Sequence, residues 1–428
     1  MTVRGIICDN GFMVVSRLLT NQCKDKEMTH NIENDTNVLS NLLRKVQDDA
    51  AKQIDIVTPT SHLQFQTELP EGDYPVYPYY GNTDNRSKIS TFNSRVIVEA
   101  HKGEPTRFFD INPVAFSQIA VDAGLDTKTA RKLQTICPQE FDGVINKLWE
   151  KEPKNRLLRT HAYGSDQTLH YTKLGNTGVA RAWVSDKFKT FDNHDMLNST
   201  IPSLMESEAH FKVINAVVTD KRLYIRLKSE THTGAGANIN DVMANGIGLS
   251  NSETGHGSIS VYQLFWTLAC LNGMQTDNRS RSSHITSARD QNDYYLLSPE
   301  AKDADNKALS LKVRDLVTAY GSRDLFDETL VKMQLAAGDV IEGSINDAAE
   351  NLGKVLTLTK AENKNVMEGL LRTINQTGYS NQPISRATMV NAVTAVANLV
   401  DADNVDDWQR RGGQVLNMKP ADWARVAA

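Results

Sequence analysis

Cysteine is scarce in this chain. Four residues, Cys8, Cys23, Cys137 and Cys270, are scattered over 428 positions without a CxxC pair, which argues against a disulfide scaffold and against a four-cysteine zinc site. Long apolar runs are missing too. None approaches the ~20 residues that a membrane-spanning helix needs, and Met1-Thr2-Val3-Arg4 lacks the basic-then-apolar layout of a signal peptide, so no membrane partner and a cytoplasmic location are expected. Neither sign of charge dominates: 47 Lys+Arg stand against 52 Asp+Glu, a formal net charge of -5. A polycationic coat and an acidic tail are both ruled out, and any basic site must be local. No repeat of fixed period and no low-complexity segment occurs. What remains, 40% hydrophobic and 23% charged residues, is the composition of a globular chain of two or three domains.

Four blocks follow one another. Residues 1–57 are mixed, and Val38, Leu42, Val46 and Ala50 fall four apart, predicting a helix over 37–53 with Asp35 or Thr36 as N-cap. Residues 58–105 carry Pro59, Pro70, Pro75 and Pro78 with Gly72 and Gly81, which predicts a linker or surface-wrapping arm without long regular elements. Its tyrosines at 74, 77, 79 and 80 are expected to pack onto the parent domain. Residues 106–300 are read as an α+β core. There Phe116, Ile119 and Ala123 share a helix face that Gly124 ends, Asp126 or Thr127 caps a second helix that stops at Cys137-Pro138, and a third runs through Phe141 and Leu148. Strand signals then take over, with a β-hairpin from Phe211–Val218 and Leu223–Leu227 around the polar turn 219–222. Residues 301–428 step by three and four, as in Leu309, Val313 and Leu316, so a helical C-terminal region is expected, broken near Arg410-Arg411-Gly412-Gly413. The fold class predicted is α+β, a central antiparallel β-sheet over about 156–295 flanked by helices.

Charge is unevenly placed. Between Lys151 and Lys228 thirteen Lys/Arg face eight Asp/Glu, a local positive excess in an acidic molecule. In a strand, side chains two apart share a face, which groups Arg222, Tyr224, Arg226 and Lys228; Arg181, Trp183, Lys187 and Lys189 add cations and a ring near Phe188 and Phe191, and Arg279, Arg281 and Arg289 lie in what reads as a flexible polar loop. Cations neutralise phosphates and rings stack on bases without reading sequence, so these residues form a candidate surface for single-stranded nucleic acid. The competing explanation is solvated strand edges with core aromatics.

Asp186, Asp192, His194 and Asp195, with Glu253 and His256, form a second candidate, a magnesium or manganese site for phosphodiester cleavage; the run 192–195 equally has the composition of a helix cap. The loop Asn251-Ser252-Glu253-Thr254-Gly255-His256-Gly257 could contact phosphate or a neighbouring subunit, or be a plain turn. Thr233 to Asn238 lacks the lysine of a phosphate loop, Ser252 lacks a GxSxG elbow, and His161, His170, His210, His232 and His284 show no metal-ligand spacing. No cofactor is expected, and a non-enzymatic role is preferred.

Four stretches then resemble a known group: Asn112-Pro113-Val114-Ala115-Phe116 through Leu148; Val179 to Phe188 with Asp192-Asn193; Asn251-Ser252-Glu253-Thr254-Gly255 followed by Cys270-Leu271-Asn272-Gly273-Met274; and Asn391-Ala392-Val393-Thr394 with Arg411-Gly412-Gly413. In this order, over roughly 110–414, the chain is similar to domain-of-unknown-function family 932, the phage/plasmid-like proteins. The Pro- and Tyr-rich arm has no counterpart in that pattern. The resemblance implies a mobile-element setting in a bacterial host cell, near DNA replication or recombination. Together with the basic surface it leads to a single-stranded-DNA-binding protein, expected to work as a homo-oligomer in annealing, recombination or replication; the alternatives are a metal-dependent nuclease and a structural or interaction protein of the mobile element.

Overall fold

A computed structural model describes residues 29–68, 93–100, 105–162, 178–236, 242–268, 272–282, 297–375 and 383–428. The architecture is α+β with a helical C-terminal region. Helix α1 (Thr29–Lys52) runs directly into β1 (Gln53–Pro59), and a 3-10 turn at Thr60–His62 leads to β2 (Leu63–Glu68). After β3 (Asn93–Val98) and β4 (Arg107–Ile111) come α2 (Pro113–Asp122), α3 (Thr127–Ile136) and α4 (Pro138–Lys151), then β5 (Asn155–Ala162), β6 (Gly178–Ser185) and α5 (Asn193–Glu206). The strands β7 (Phe211–Val218), β8 (Leu223–Ala235), β9 (Val242–Asn251), β10 (Ile259–Thr267) and β11 (Asn272–Ser282) follow in sequence. The remainder is helical: α6 (Pro299–Tyr320), α7 (Arg323–Ala336), α8 (Ile345–Val355), α9 (Lys360–Ile374), α10 (Arg386–Ala395), α11 (Ala402–Leu416) and α12 (Pro420–Ala427).

Local signals explain most boundaries. The Asn112 side chain accepts from the Ala115 N–H and Pro113 occupies the first turn of α2, while Gly124, at φ +77°, takes the left-handed conformation that ends it. Asp126 caps α3, and Pro138 opens α4, where a missing N–H costs nothing. The run 192–195 is a helix start: Asp192 and Asp195 form a reciprocal capping box on α5.

Two sheets, rather than one, organise these elements. The second is the expected antiparallel meander, in the order β11-β10-β9-β8-β7, and the predicted hairpin is its β7–β8 pair. The first is six-stranded, β1-β5-β6-β4-β3-β2, with β4 and β6 parallel and the sequence neighbours β1 and β2 at opposite edges. Because one 3-10 turn joins those edges, the sheet must curl. The stretch read as an arm thus contributes β2 and β3, where Phe65 and Val96 are buried in a core with Phe109, Phe116, Phe141 and Trp183; the four tyrosines lie outside the described residues. Proline punctuates only the ends of these strands, which is where a missing donor is tolerated.

Helices α2, α3 and α4 cover one face of the first sheet. Helices α1, α5 and α6 cover one face of the second, packing on Leu223, Ile225, Leu227, Ile247 and Leu249. A third core, with Phe326, Leu370, Val393, Trp408 and Trp423, unites the C-terminal helices. The expected break at Arg410–Gly413 is absent: both glycines lie inside α11, because a Cβ on Gly413 would collide with the Gln275 carbonyl of β11 and one on Gly412 with the Thr394 methyl of α10. Among the described residues no helix is long and apolar enough to cross a membrane.

Candidate functional site

The predicted cations divide into two places. A β-bulge decides this. On β6 the register passes from Ala182 opposite Arg159 to Ala180 opposite Thr160, so Arg181 is the extra, unpaired residue. One added residue reverses the alternation, and Arg181 and Trp183, expected on one face, point to opposite faces. Trp183 is core: it stacks on Trp149 with centroids 4.9 Å apart and donates its indole N–H to Asp122 Oδ2 at 3.1 Å. Phe188 and Phe191 are buried as well.

Arg181 turns instead toward the loop between β9 and β10. That loop, expected to contact phosphate or a neighbouring subunit or to be a plain turn, is a plug between the two sheets, with Asn251, Ser252, Glu253 and Thr254 buried. The Glu253 carboxylate accepts from Arg181 Nη2 at 2.9 Å and from the Asn193 N–H at 2.8 Å. Its carbonyl accepts from Arg159 Nη1 at 3.0 Å, and the same guanidinium reaches Asp55 at 3.2 Å and Asp192 at 2.6 Å. Burial alone would push the Glu253 pKa up, yet Arg181, Arg159 and the Asn193 amide hold it below the ordinary range. His161, opposite Gln53 on β1 and set beside these guanidiniums, is driven down to about 2 by burial and then by Arg181 and Arg159.

Three of the four carboxylates of the candidate metal site are consumed by this arrangement, and the fourth, Asp186, accepts from the neighbouring Ser185 hydroxyl at 3.1 Å. Asp192 and Asp195 cap α5, Asp192 also pairs with Arg159, Glu253 lies between two donors, and His256 Nδ1 sits 3.1 Å from the Thr254 carbonyl. Among the described residues no group of three or more His, Cys, Asp or Glu side chains could hold a metal ion.

The second place is the β8–β9–β10 face turned away from α1, α5 and α6. Tyr224 and Arg226 do share it, as period two demands, but it is not open: Tyr224 is 0% and Arg226 4% exposed. Helix α11, nearly 180 residues on in sequence, lies over it. Asp403 Oδ1 accepts from the Tyr224 hydroxyl and from Thr219 Oγ1, both at 3.1 Å, with Lys221 Nζ 3.9 Å from its other oxygen. Asp406 Oδ1 accepts from Arg226 Nη2 at 2.7 Å and from the Tyr262 hydroxyl at 2.8 Å. Burial would lower the Arg226 pKa, but Tyr262 and Asp406 outweigh it and leave it raised. Burial raises the Tyr224 pKa, so its hydroxyl remains a donor. Chemically the face is a receptor for oxyanions, and two carboxylates occupy it.

Of the remaining predicted residues, Arg222 donates from Nε to the His256 carbonyl at 2.6 Å and Lys189 pairs with Asp305 at 2.6 Å. Lys228 is half-buried opposite Lys212, and Lys187 is exposed in the turn after β6. Arg279 and Arg281 belong to β11, opposite Tyr262 and Ser260, rather than to a loop; their side chains and Arg289 lie outside the described residues. The essential partners that residue patterns did not single out are Asp403, Asp406 and Tyr262. The available signal was four aspartates, Asp401, Asp403, Asp406 and Asp407, within seven residues at a helix start. No family model matches the chain, and neither a curated protein nor a solved structure matches it.

Proposed function

We propose that the protein is a non-enzymatic phage- or plasmid-type DNA-metabolism protein that binds single-stranded DNA, acting as a homo-oligomer in annealing, recombination or replication within the host cytoplasm. The observation that carries this reading is the pair of carboxylates on the β8–β10 face. Tyr224, Arg226 and Tyr262 converge on oxyanions of Asp403 and Asp406 with charge-assisted hydrogen bonds, the same chemistry that a phosphodiester offers. The likeness to family 932 in the order of segments supports a setting beside DNA-handling genes.

Arg226 is a poor probe, since its removal would leave Asp406 buried without its cation. Lys221, which is exposed, and Lys228, which is half-buried, are better ones. Filter binding of a labelled oligothymidylate is expected to weaken in Lys221→Ala/Lys228→Ala, with the salt slope reduced by about one for each phosphate that is no longer neutralised. Equal affinity and equal slope in the two proteins would remove this face from consideration.

A second reading, an interaction protein of the mobile element without nucleic-acid binding, is favoured by one observation: Arg159, Arg181, Arg222 and Arg226 all have internal acceptors. It predicts a discrete oligomer mass by light scattering that DNA does not change, together with unchanged tryptophan fluorescence.

A further inference from the structure

The two halves of α11 are held in different ways. Its second half is anchored: Trp408, Val415 and Leu416 are in the C-terminal core, and Gly412 and Gly413 allow α10 and β11 to approach at backbone distance. Its first half meets the second sheet through polar groups, Asp403 and Asp406 against Thr219, Tyr224, Arg226 and Tyr262, with the half-buried Val405 as its apolar contact to the C-terminal core. That half also starts without a side-chain cap: Asp401 meets the Asn404 N–H with its backbone carbonyl, at 2.9 Å, and makes no side-chain capping hydrogen bond, whereas Ser322, Ser344, Thr359 and Ser385 each cap the helix they precede. A first turn without a side-chain cap leaves its other N–H groups to solvent and frays most easily.

The seam is also incompletely bonded. Arg226 Nε, Asp406 Oδ2, Ser250 Oγ and Gln409 Oε1 are buried and have no hydrogen-bond partner among the described residues. Such a group costs stability; single orphans occur at the plug too, at Arg181 Nε and His161 Nε2, but here a donor on the sheet and an acceptor on the helix are left over on the two sides of one contact. Arg226 therefore offers a second donor that Asp406 does not use, and a tetrahedral oxyanion with more oxygens could engage both nitrogens.

We propose that residues 402–407 are a displaceable acidic cap, and that the face beneath, formed by Lys221, Tyr224, Arg226 and Tyr262, takes the phosphodiester backbone of a single strand when the cap lifts. This rests on the strand-binding reading above and adds the control of that site. Asp403 and Asp406 leave for water as phosphates arrive, so the charge on the face stays balanced and α11 bends where Trp408 enters the core. Apparent affinity is then the intrinsic affinity scaled by the fraction of molecules with the cap open.

The test is oligothymidylate binding by the full chain, at low and high salt, with circular dichroism and thermal melting as folding controls. Asp403→Asn/Asp406→Asn keeps an acceptor for each phenol and for Arg226 but removes the competing charge; it is expected to bind about tenfold more tightly than wild type. Asn404→Gly, at an exposed position of the cap, leaves every carboxylate in place and loosens only the helix, so it should tighten binding by about two- to threefold even where the double variant folds poorly. Tighter binding by either folded variant supports the cap. Equal binding by wild type and both variants overturns the cap while strand binding stands, and no retention by any of the three at low salt overturns strand binding and the cap together.

Discussion

Arg159 and Arg226 are both buried guanidiniums on central strands, and both meet carboxylates brought from elsewhere in the chain, yet they are wrapped differently. Arg159 uses all three nitrogens, on Asp55, the Glu253 carbonyl and Asp192. Arg226 uses Nη2 on Asp406 and leaves Nε without a partner. The first seam locks the plug loop between two sheets. The second joins a sheet to one half-helix and has spare bonding capacity. Desolvating a charge is tolerated best when its donors are all matched; Arg181 in the first seam also leaves Nε without a partner, so what sets that seam apart is the three-point hold of Arg159 on acceptors from three separate segments.

Lysine separates the two most sharply, because it keeps the charge but loses the planar fork. Arg159→Lys forfeits at least two of three charge-assisted bonds and is expected to cost about 3 kcal/mol or more, whereas Arg226→Lys can retain the single bond in use and should cost less than about 1 kcal/mol. Urea midpoints of the two variants decide it; equal losses would mean that the seams do not differ.

The Arg159 seam should also set the response to acid. His161 has a folded pKa of about 2 against 6.5 for the free side chain, so below pH 6.5 the unfolded chain takes up a proton that the folded one refuses. Stability is then complete above that pH and falls as pH drops, by up to ~1.4 kcal/mol per pH unit from this group. His161→Gln should flatten the loss between pH 6.5 and 5; an unchanged slope would assign the acid response elsewhere.

Smaller still is the effect at Asp220, which lies where the seams meet. Burial lifts its pKa to about 6 even though Lys45, Arg181 and Lys221 face it, with Asp403 adding to the rise. A carboxyl raised above its unfolded value favours folding most when protonated, and its contribution is lost as pH rises through about 6. Asp220→Asn should therefore raise the melting temperature at pH 8 and have no effect near pH 4. A stabilisation that is the same at both pH values would show that charge is not its cause.

Much of the local structure is legible in the residues themselves. Gly124, Asp126 and Pro138 mark helix ends because the left-handed conformation, the cap acceptor and the missing N–H act within a few residues. The 219–222 turn and the helix start at Asp192 follow for the same reason. The face of β8 is legible too: Tyr224 and Arg226 do point the same way. Its neutralisation was hidden, since Asp403 and Asp406 act across about 180 residues and nothing in either segment encodes the meeting. The bulge at Arg181 was equally hidden, because one residue too many in a strand leaves the hydrophobic pattern intact while turning its neighbours over.

By itself, then, the order of side chains determined many helix ends, the pairing of β7 with β8, and that cations gather in the middle of an acidic chain, since each depends on short-range sterics, periodicity or composition. The tertiary structure alone decided that β2 and β3 complete a curled sheet, that Glu253 lies between guanidiniums, and that α11 lays aspartates on the basic face. Those outcomes depend on which distant surfaces exclude water together, and only the folded chain brings such surfaces into contact.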